Sequence, residues 1–180
     1  MKLVETPIKD LFVLEPTVFS DDRGYFCESY NESTFEKLGI STKFVQDNHS
    51  FSKAGVLRGL HFQRQPRAQA KLVRCTSGRL WDVAVDIRKK SPTYGQSFGI
   101  ELSAENCKML YIPIGFLHGF YALEDCELQY KCSDTYSPEH DGSIIYNDTD
   151  LNIAWPLIGA PILSNKDLSA PSLIEANLDF

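Results

Sequence analysis

Three side chains with complementary chemistry sit close together in one apolar, strand-like run: Arg58 and His61 within Gly55-Val-Leu-Arg-Gly-Leu-His-Phe-Gln63, and Lys71 shortly after it. A strand normally alternates core and solvent residues, so charged groups arriving among apolar partners point to a polar-lined pocket. The chemistry available is specific. An imidazole with an ordinary pKa near neutrality can take a proton. A fixed ammonium in a water-poor cleft stabilises negative charge as it develops. An arginine can hold a small anionic group. A second imidazole, His118, follows in Pro113-Ile-Gly-Phe-Leu-His-Gly-Phe120.

Arg58 and His61 are three apart, and a regular strand points such residues to opposite faces. Both reach one pocket if Gly59 carries a bulge or if His61 ends its strand. Otherwise one of them serves a different part of a long ligand.

The elements that must position these groups read mostly as strands. Candidates are 12–15, 25–30, 43–49, 56–62, 71–75, 80–87, 98–102, 109–112, 119–123 and 127–132, separated by turn-rich pieces such as Thr76-Ser77-Gly78. One short helix is predicted, with Asn31 as N-cap, Glu32 to Leu38 as body and Gly39 closing it. Many short strands at close spacing indicate an all-β sandwich or barrel with short peripheral helices. The proline-punctuated tail after Pro156 is expected to wrap the barrel. Within Leu80–Ile87 the residues Trp81, Val83, Val85 and Ile87 share one face, and Asp82, Ala84 and Asp86 the other. That half-polar face suits either solvent or a wet cavity.

A length of 180 residues with 43% hydrophobic residues suits a single domain, residues 1–180, with its own core. The net charge of −6 argues against general nucleic-acid binding, which needs a basic face. No apolar run approaches membrane-spanning length. The five cysteines form no C-x-x-C pair, and no signal peptide is visible at the start, so free thiols in a reducing cytoplasm are expected.

The two histidine segments, G-x5-H and P-x-G-x-x-H, look like the two motifs of the cupin barrel. Metal-binding cupins carry H-x-H and a nearby glutamate in the first motif. Here Gln63 replaces the second histidine, and no Glu lies between Gln63 and Ile100. His61 and His118 alone are too few ligands for a transition metal, so the expectation is a cupin-like pocket with no metal and no cofactor.

A wider set of segments resembles one family. Arg23-Gly-Tyr-Phe-Cys-Glu28, Gln46-Asp-Asn48, Val56 to Gln63, Gln69-Ala-Lys-Leu-Val-Arg74 and Asp82-Val-Ala-Val-Asp-Ile-Arg88 fit it. So do Ser91-Pro-Thr-Tyr-Gly95, Pro113 to Phe120, Tyr130-Lys-Cys-Ser-Asp-Thr-Tyr136 and Ser164-Asn-Lys-Asp167. In this order, from about Thr6 to Asp167, they resemble the dTDP-4-dehydrorhamnose 3,5-epimerases of the dTDP-L-rhamnose pathway. Departures are modest: Tyr146 stands where the family usually has Trp, Phe62 where Tyr is common, Ala70 where Gly is common.

The resemblance implies a homodimeric, cofactor-independent, cupin-type jelly roll acting on a dTDP-linked 4-keto-6-deoxy sugar. It makes His61 the base, with Asp167 orienting its imidazole, and Tyr130 the acid on the other face of the sugar. Lys71 would stabilise charge at O4. Asp82 would position Lys71 or a sugar hydroxyl, and His118 would line the site or pack behind it. Arg23 and Arg58 would bridge the diphosphate, Phe26 would stack on the base, and Glu28, Gln46 and Asn48 would hydrogen-bond to base or sugar. Tyr136 would shape the pocket or touch the phosphates. The family's N-terminal strand crosses to the partner subunit, so Arg23, Phe26 and Glu28 are expected to serve the partner's site. The competing expectations are an epimerase of C3 or C5 alone or a keto-isomerase, a metal-bound cupin, and a non-catalytic sugar-nucleotide binding module.

Overall fold

The computed structural model describes residues 1–180. The chain runs β1 (Lys2–Glu5), β2 (Phe12–Glu15), β3 (Val18–Asp21), β4 (Gly24–Cys27), α1 (Glu32–Lys37), β5 (Gln46–Ser52) and β6 (Leu57–Gln63). It continues through β7 (Lys71–Ser77), β8 (Arg79–Asp86), β9 (Ser97–Ser103), β10 (Met109–Ile112), β11 (Phe116–Ala122) and β12 (Cys126–Cys132). It closes with β13 (Asp141–Ser143) and α2 (Asn165–Leu168). Six strands form one sheet in the order β1-β2-β10-β7-β12-β5, and five form a second in the order β13-β6-β11-β8-β9. All their pairings are antiparallel.

The two sheets face each other across a core that takes alternate residues from each strand. Leu80 and Ala84 of β8, Phe116, Phe120 and Ala122 of β11, Val73 and Cys75 of β7, and Cys126 and Leu128 of β12 meet there. The outer face of the five-stranded sheet is covered too. Leu60, Val83, Val85 and Leu117 pack under Ile153, Trp155, Leu173 and Phe180 from the C-terminal segment. On the other side Phe35 of α1 and the following Ile40 cover Leu14, Leu72 and Met109. The α1 start is as expected from the sequence, with Asn31 accepting from the Thr34 amide.

The half-polar face of β8 looks inward. Asp82, Ala84 and Asp86 are all fully buried, so the wet-cavity alternative holds rather than the solvent one.

Several boundaries differ from expectation for identifiable reasons. The strand expected at 43–49 is Gln46–Ser52, because its limits are set by pairing with Cys126–Cys132. The strand expected to begin at Gly119 begins at Phe116 and runs through that glycine. A Cβ at Gly119 would lie 2.8 Å from the Arg58 carbonyl, so this glycine marks close approach of β6 and not a turn. Strands β1, β3 and β13 lacked a readable signal: they are three or four residues long, and β3 is exposed along its whole length.

Candidate active site

The register of the strands explains how Arg58 and His61 come to share a face. His61 lies opposite His118, and Arg58 opposite Phe120. Three residues on β6 are thus matched by two on β11, and the register shift between them is a bulge. Gly59 takes it up with φ of +128°. Phe120 points into the core between the sheets, so both Arg58 and His61 project to that same side.

The same counting gathers the other polar groups. Lys71 shares its strand face with Val73 and Cys75, and Tyr130 shares its face with Leu128 and Cys126. Asn48 pairs with Tyr130, and Gln46 with Cys132. One end of the barrel interior is therefore polar. His61, Gln46, Asn48, Lys71, Tyr130 and Tyr136 line a cavity of about 320 Å³ there. His61 and Tyr130 come from opposite sheets, so they face each other across the barrel.

His61 is held from behind. Its Nε2 lies 2.6 Å from Oδ1 of Asp167, which is almost completely buried. Asp167 belongs to α2, whose N-cap Ser164 accepts from the Asp167 amide and donates its hydroxyl to Oδ2 at 2.9 Å. Burial by itself would raise this carboxyl's pKa. The hydrogen bonds from His61 and Ser164, and the nearby charge of Lys166, outweigh it and hold the group below the usual carboxylate range.

Burial shapes two further groups. It pushes the Lys71 ammonium below the ordinary lysine range, against the favourable charges of Cys132, Asp82 and Asp141. It raises the Tyr130 phenol, with Arg58 pulling the other way. Tyr130 therefore keeps its proton at neutral pH, as an acid must. Arg58 is fixed by Ser52 Oγ at 3.0 Å and the Phe51 carbonyl at 3.0 Å. Behind the cavity, His118 Nε2 contacts Asp82 Oδ2 at 2.9 Å. No group of three or more His, Cys, Asp or Glu side chains is arranged to hold a metal ion.

These features match one known group of proteins over nearly the whole chain. The family model described as dTDP-4-dehydrorhamnose 3,5-epimerase matches residues 5–175. The chain belongs to that family. The dTDP-4-dehydrorhamnose 3,5-epimerase of Salmonella typhimurium is 56% identical over 180 residues, covering 99% of this chain and 98% of that protein. The crystal structure of the epimerase from Elizabethkingia anophelis superposes with a TM-score of 0.94 at 54% identity, covering 98% of each chain. A Legionella pneumophila dTDP-6-deoxy-D-glucose-3,5-epimerase, solved in complex with dTDP-4-keto-L-rhamnose, gives a TM-score of 0.95 at 47% identity, covering 98% of this chain and 94% of that one. The fold is thus the cupin-like jelly roll of these epimerases.

Three residues assigned to substrate by resemblance lie elsewhere in the epimerase chain. Arg23 and Phe26 sit on the β3–β4 hairpin, which pairs with no other strand. Arg23 is bound to Asp21 at 2.6 Å, and Phe26 is 69% exposed. Glu28 accepts from Asn31 and Thr34 at the start of α1. None of the three lines the cavity that holds His61.

Other lining residues carried no sequence signal as site residues. Lys166 reaches the cavity mouth from α2 and is paired there with Asp141, which also accepts from the Tyr136 hydroxyl. Lys166 lies within the Ser164–Asp167 segment, so its neighbours were the available clue. Gln63 and Gln69 also line the cavity. Gln63 binds the Arg67 and Thr135 carbonyls and the Ser137 amide, which fixes the loop carrying Tyr136.

Proposed function

We propose that this protein is a dTDP-4-dehydrorhamnose 3,5-epimerase, with His61 as base, Tyr130 as acid and Lys71 as the cation at O4. The observation that carries the reading is the placement of His61 and Tyr130 on opposite sheets of one cavity that also contains Lys71. Carbons C3 and C5 both flank the C4 ketone, so their protons are acidic enough for an imidazole to remove. The electron pair moves onto O4, where the Lys71 ammonium offsets the new charge. Reprotonation from the Tyr130 side inverts the carbon. The ketone already in the substrate provides the electron sink, so the scheme calls on no cofactor.

In this reading Asp167 holds His61 in one tautomer. A neutral imidazole that gives Nε2–H to Asp167 keeps Nδ1 as its free acceptor, and Nδ1 is then the base. Arg58, Gln46, Asn48 and Tyr136 extend from the sugar site toward the nucleotide, with Arg58 on the diphosphate. Arg23, Phe26 and Glu28 complete the nucleotide end from the partner of a homodimer. The β3–β4 hairpin supports that assignment: Val18, Phe19, Tyr25 and Phe26 are 42–69% exposed there, an apolar set that a second subunit would cover.

The test is incubation with dTDP-4-dehydro-6-deoxy-D-glucose in D2O, followed by NMR. Deuterium at both C3 and C5, with dTDP-L-rhamnose formed once a reductase is added, is the expected result. Exchange at one carbon only would identify a mono-epimerase. Exchange at neither would overturn the reading.

A further inference from the structure

The barrel interior holds a second imidazole–carboxylate pair that the proton transfers above do not use. Asp82 of β8 is fully buried and lies on the inward face between Leu80 and Ala84. Its Oδ2 is bound by Nε2 of His118 at 2.9 Å, while its buried Oδ1 has no hydrogen-bond partner within the protein. An unpaired, buried carboxylate oxygen is costly, and a native fold keeps one only for a reason.

The surroundings narrow that reason. His118 is itself buried, which pushes its imidazole toward the neutral form against the pull of Asp82, with Lys71 and His61 adding to the push. A neutral donor leaves the charge of Asp82 uncompensated. Lys71, across the barrel on β7, is the buried cation that needs such a charge. The groups that act on it come from four other elements: Cys132 of β12, Asp82 of β8, Asp141 of β13 and, opposing, Lys166 of α2. Burial raises the Cys132 pKa, so its thiol keeps its proton. Asp141 is already paired with Lys166. Asp82 alone retains an unspent negative charge.

We infer that Asp82, oriented by His118, is the positioning residue for Lys71, keeping its amino group protonated and directed at the carbonyl oxygen of the substrate. The role at O4 rests on the epimerase reading; the coupling between Asp82 and Lys71 does not.

The experiment uses Asp82→Asn, which keeps the shape of the side chain and removes its charge. In ligand-free protein, competitive acetylation of Lys71, read by peptide mass spectrometry from about pH 6 to about pH 10, reports the titration of its amine. The expected result is a midpoint moved to lower pH. The alkaline limb of kcat/KM for C3 and C5 exchange moves with it, with a loss of about tenfold or more on that limb. His118→Gln, which keeps an N–H donor, is expected to restore the position of the limb that His118→Ala shifts. A folded Asp82→Asn protein with an unchanged Lys71 midpoint would overturn the inference. Should the variant not fold, the Asp82 carboxyl carbon of the wild-type protein serves instead. Its NMR resonance should step at the Lys71 midpoint, and a flat trace there would overturn the inference equally. A wild-type protein that titrates as expected but exchanges neither proton would remove the epimerase reading and leave the coupling standing.

Discussion

Asp167 lies 106 residues from His61 in sequence and 2.6 Å from its Nε2 in space. The contact fixes both the ring orientation and the nitrogen left free to act. His61→Ala should abolish deuterium incorporation at C3 and at C5. Asp167→Asn keeps the packing but no longer favours the required tautomer, and should lower kcat by about 10²–10⁴. Ser164→Ala removes both the α2 cap and a hydrogen bond to Asp167, so a smaller kcat loss and a stability cost of about 1 kcal/mol are expected. A full-strength Asp167→Asn enzyme would refute the assigned dyad.

Abstraction and return of the proton fall to different residues, so they can be separated. Tyr130→Phe deletes the acid while leaving His61, Asp167 and Lys71 in place. Inverted product should fall by about 10²–10³. Solvent deuterium should still enter C3 or C5 through His61, with retention of configuration. The comparison is the ratio of exchange to inversion, measured by NMR in one sample. Equal loss of both would assign Tyr130 to binding instead.

Gly59 carries the bulge that turns Arg58 and His61 to the same face. A Cβ there would sit 2.6 Å from Gly119 Cα and 3.0 Å from the His118 carbonyl, at a φ of +128°. Gly59→Ala should therefore cost about 1–3 kcal/mol from backbone strain alone, and more from the clash. The displaced imidazole should reduce kcat/KM by about 10²-fold. Denaturant unfolding and steady-state kinetics on the same preparation test both halves. Full activity in Gly59→Ala would mean that the bulge does not position the base.

The spread of these residues shows what the sequence could reveal. Alternation and turn residues locate most strands, because a two-residue period is a local property. Phe12–Glu15 and Met109–Ile112 have the predicted limits. The pairing of His61 with Asp167 is not local, and no period or spacing connects them; only likeness to a family does. The bulge was legible as a conflict, since a three-residue gap between two useful side chains requires one. Lys166 was hidden because an exposed lysine on a four-residue helix looks like any surface lysine until the fold brings it to the cavity. The inward face of β8 was ambiguous for the opposite reason: two aspartates at 0% exposure are rare in a core unless each is bound, and only the fold shows what binds them.

The exposed β3–β4 hairpin gives a prediction about assembly. If Arg23, Phe26 and Glu28 serve the partner's cavity, one active site needs His61 from one subunit and the hairpin from the other. Arg23→Ala and His61→Ala should each form weakly active or inactive homodimers. Mixed by unfolding and refolding together, they should regain activity, because a heterodimer contains one site with an intact base and an intact hairpin. No recovery, with mixed dimers confirmed by native mass spectrometry, would place the hairpin in its own subunit's site.

Asp86 sets a pH dependence of stability apart from catalysis. It is fully buried, yet Arg88 binds it through Nε and Nη2 at 2.9 Å, Ser91 donates at 2.5 Å and Thr93 at 2.7 Å. Burial opposes its charge, but these hydrogen bonds prevail and hold its pKa at about 2. A carboxyl whose folded pKa is depressed stabilises the fold above its unfolded value and loses that effect as pH falls toward the folded one. Its contribution of about 2 kcal/mol is thus complete above about pH 4 and lost between there and about pH 2. Asp86→Asn removes the charge and leaves Arg88 with Asp10 as its remaining ion-pair partner. Urea unfolding at fixed protein concentration should show the variant less stable by about 2 kcal/mol or more at neutral pH. That gap should narrow as the pH drops from about 4 toward about 2, because the wild-type carboxylate is then neutralised as well. A gap of the same size at both ends of that window would mean that packing, and not the charge of Asp86, holds this corner of the barrel.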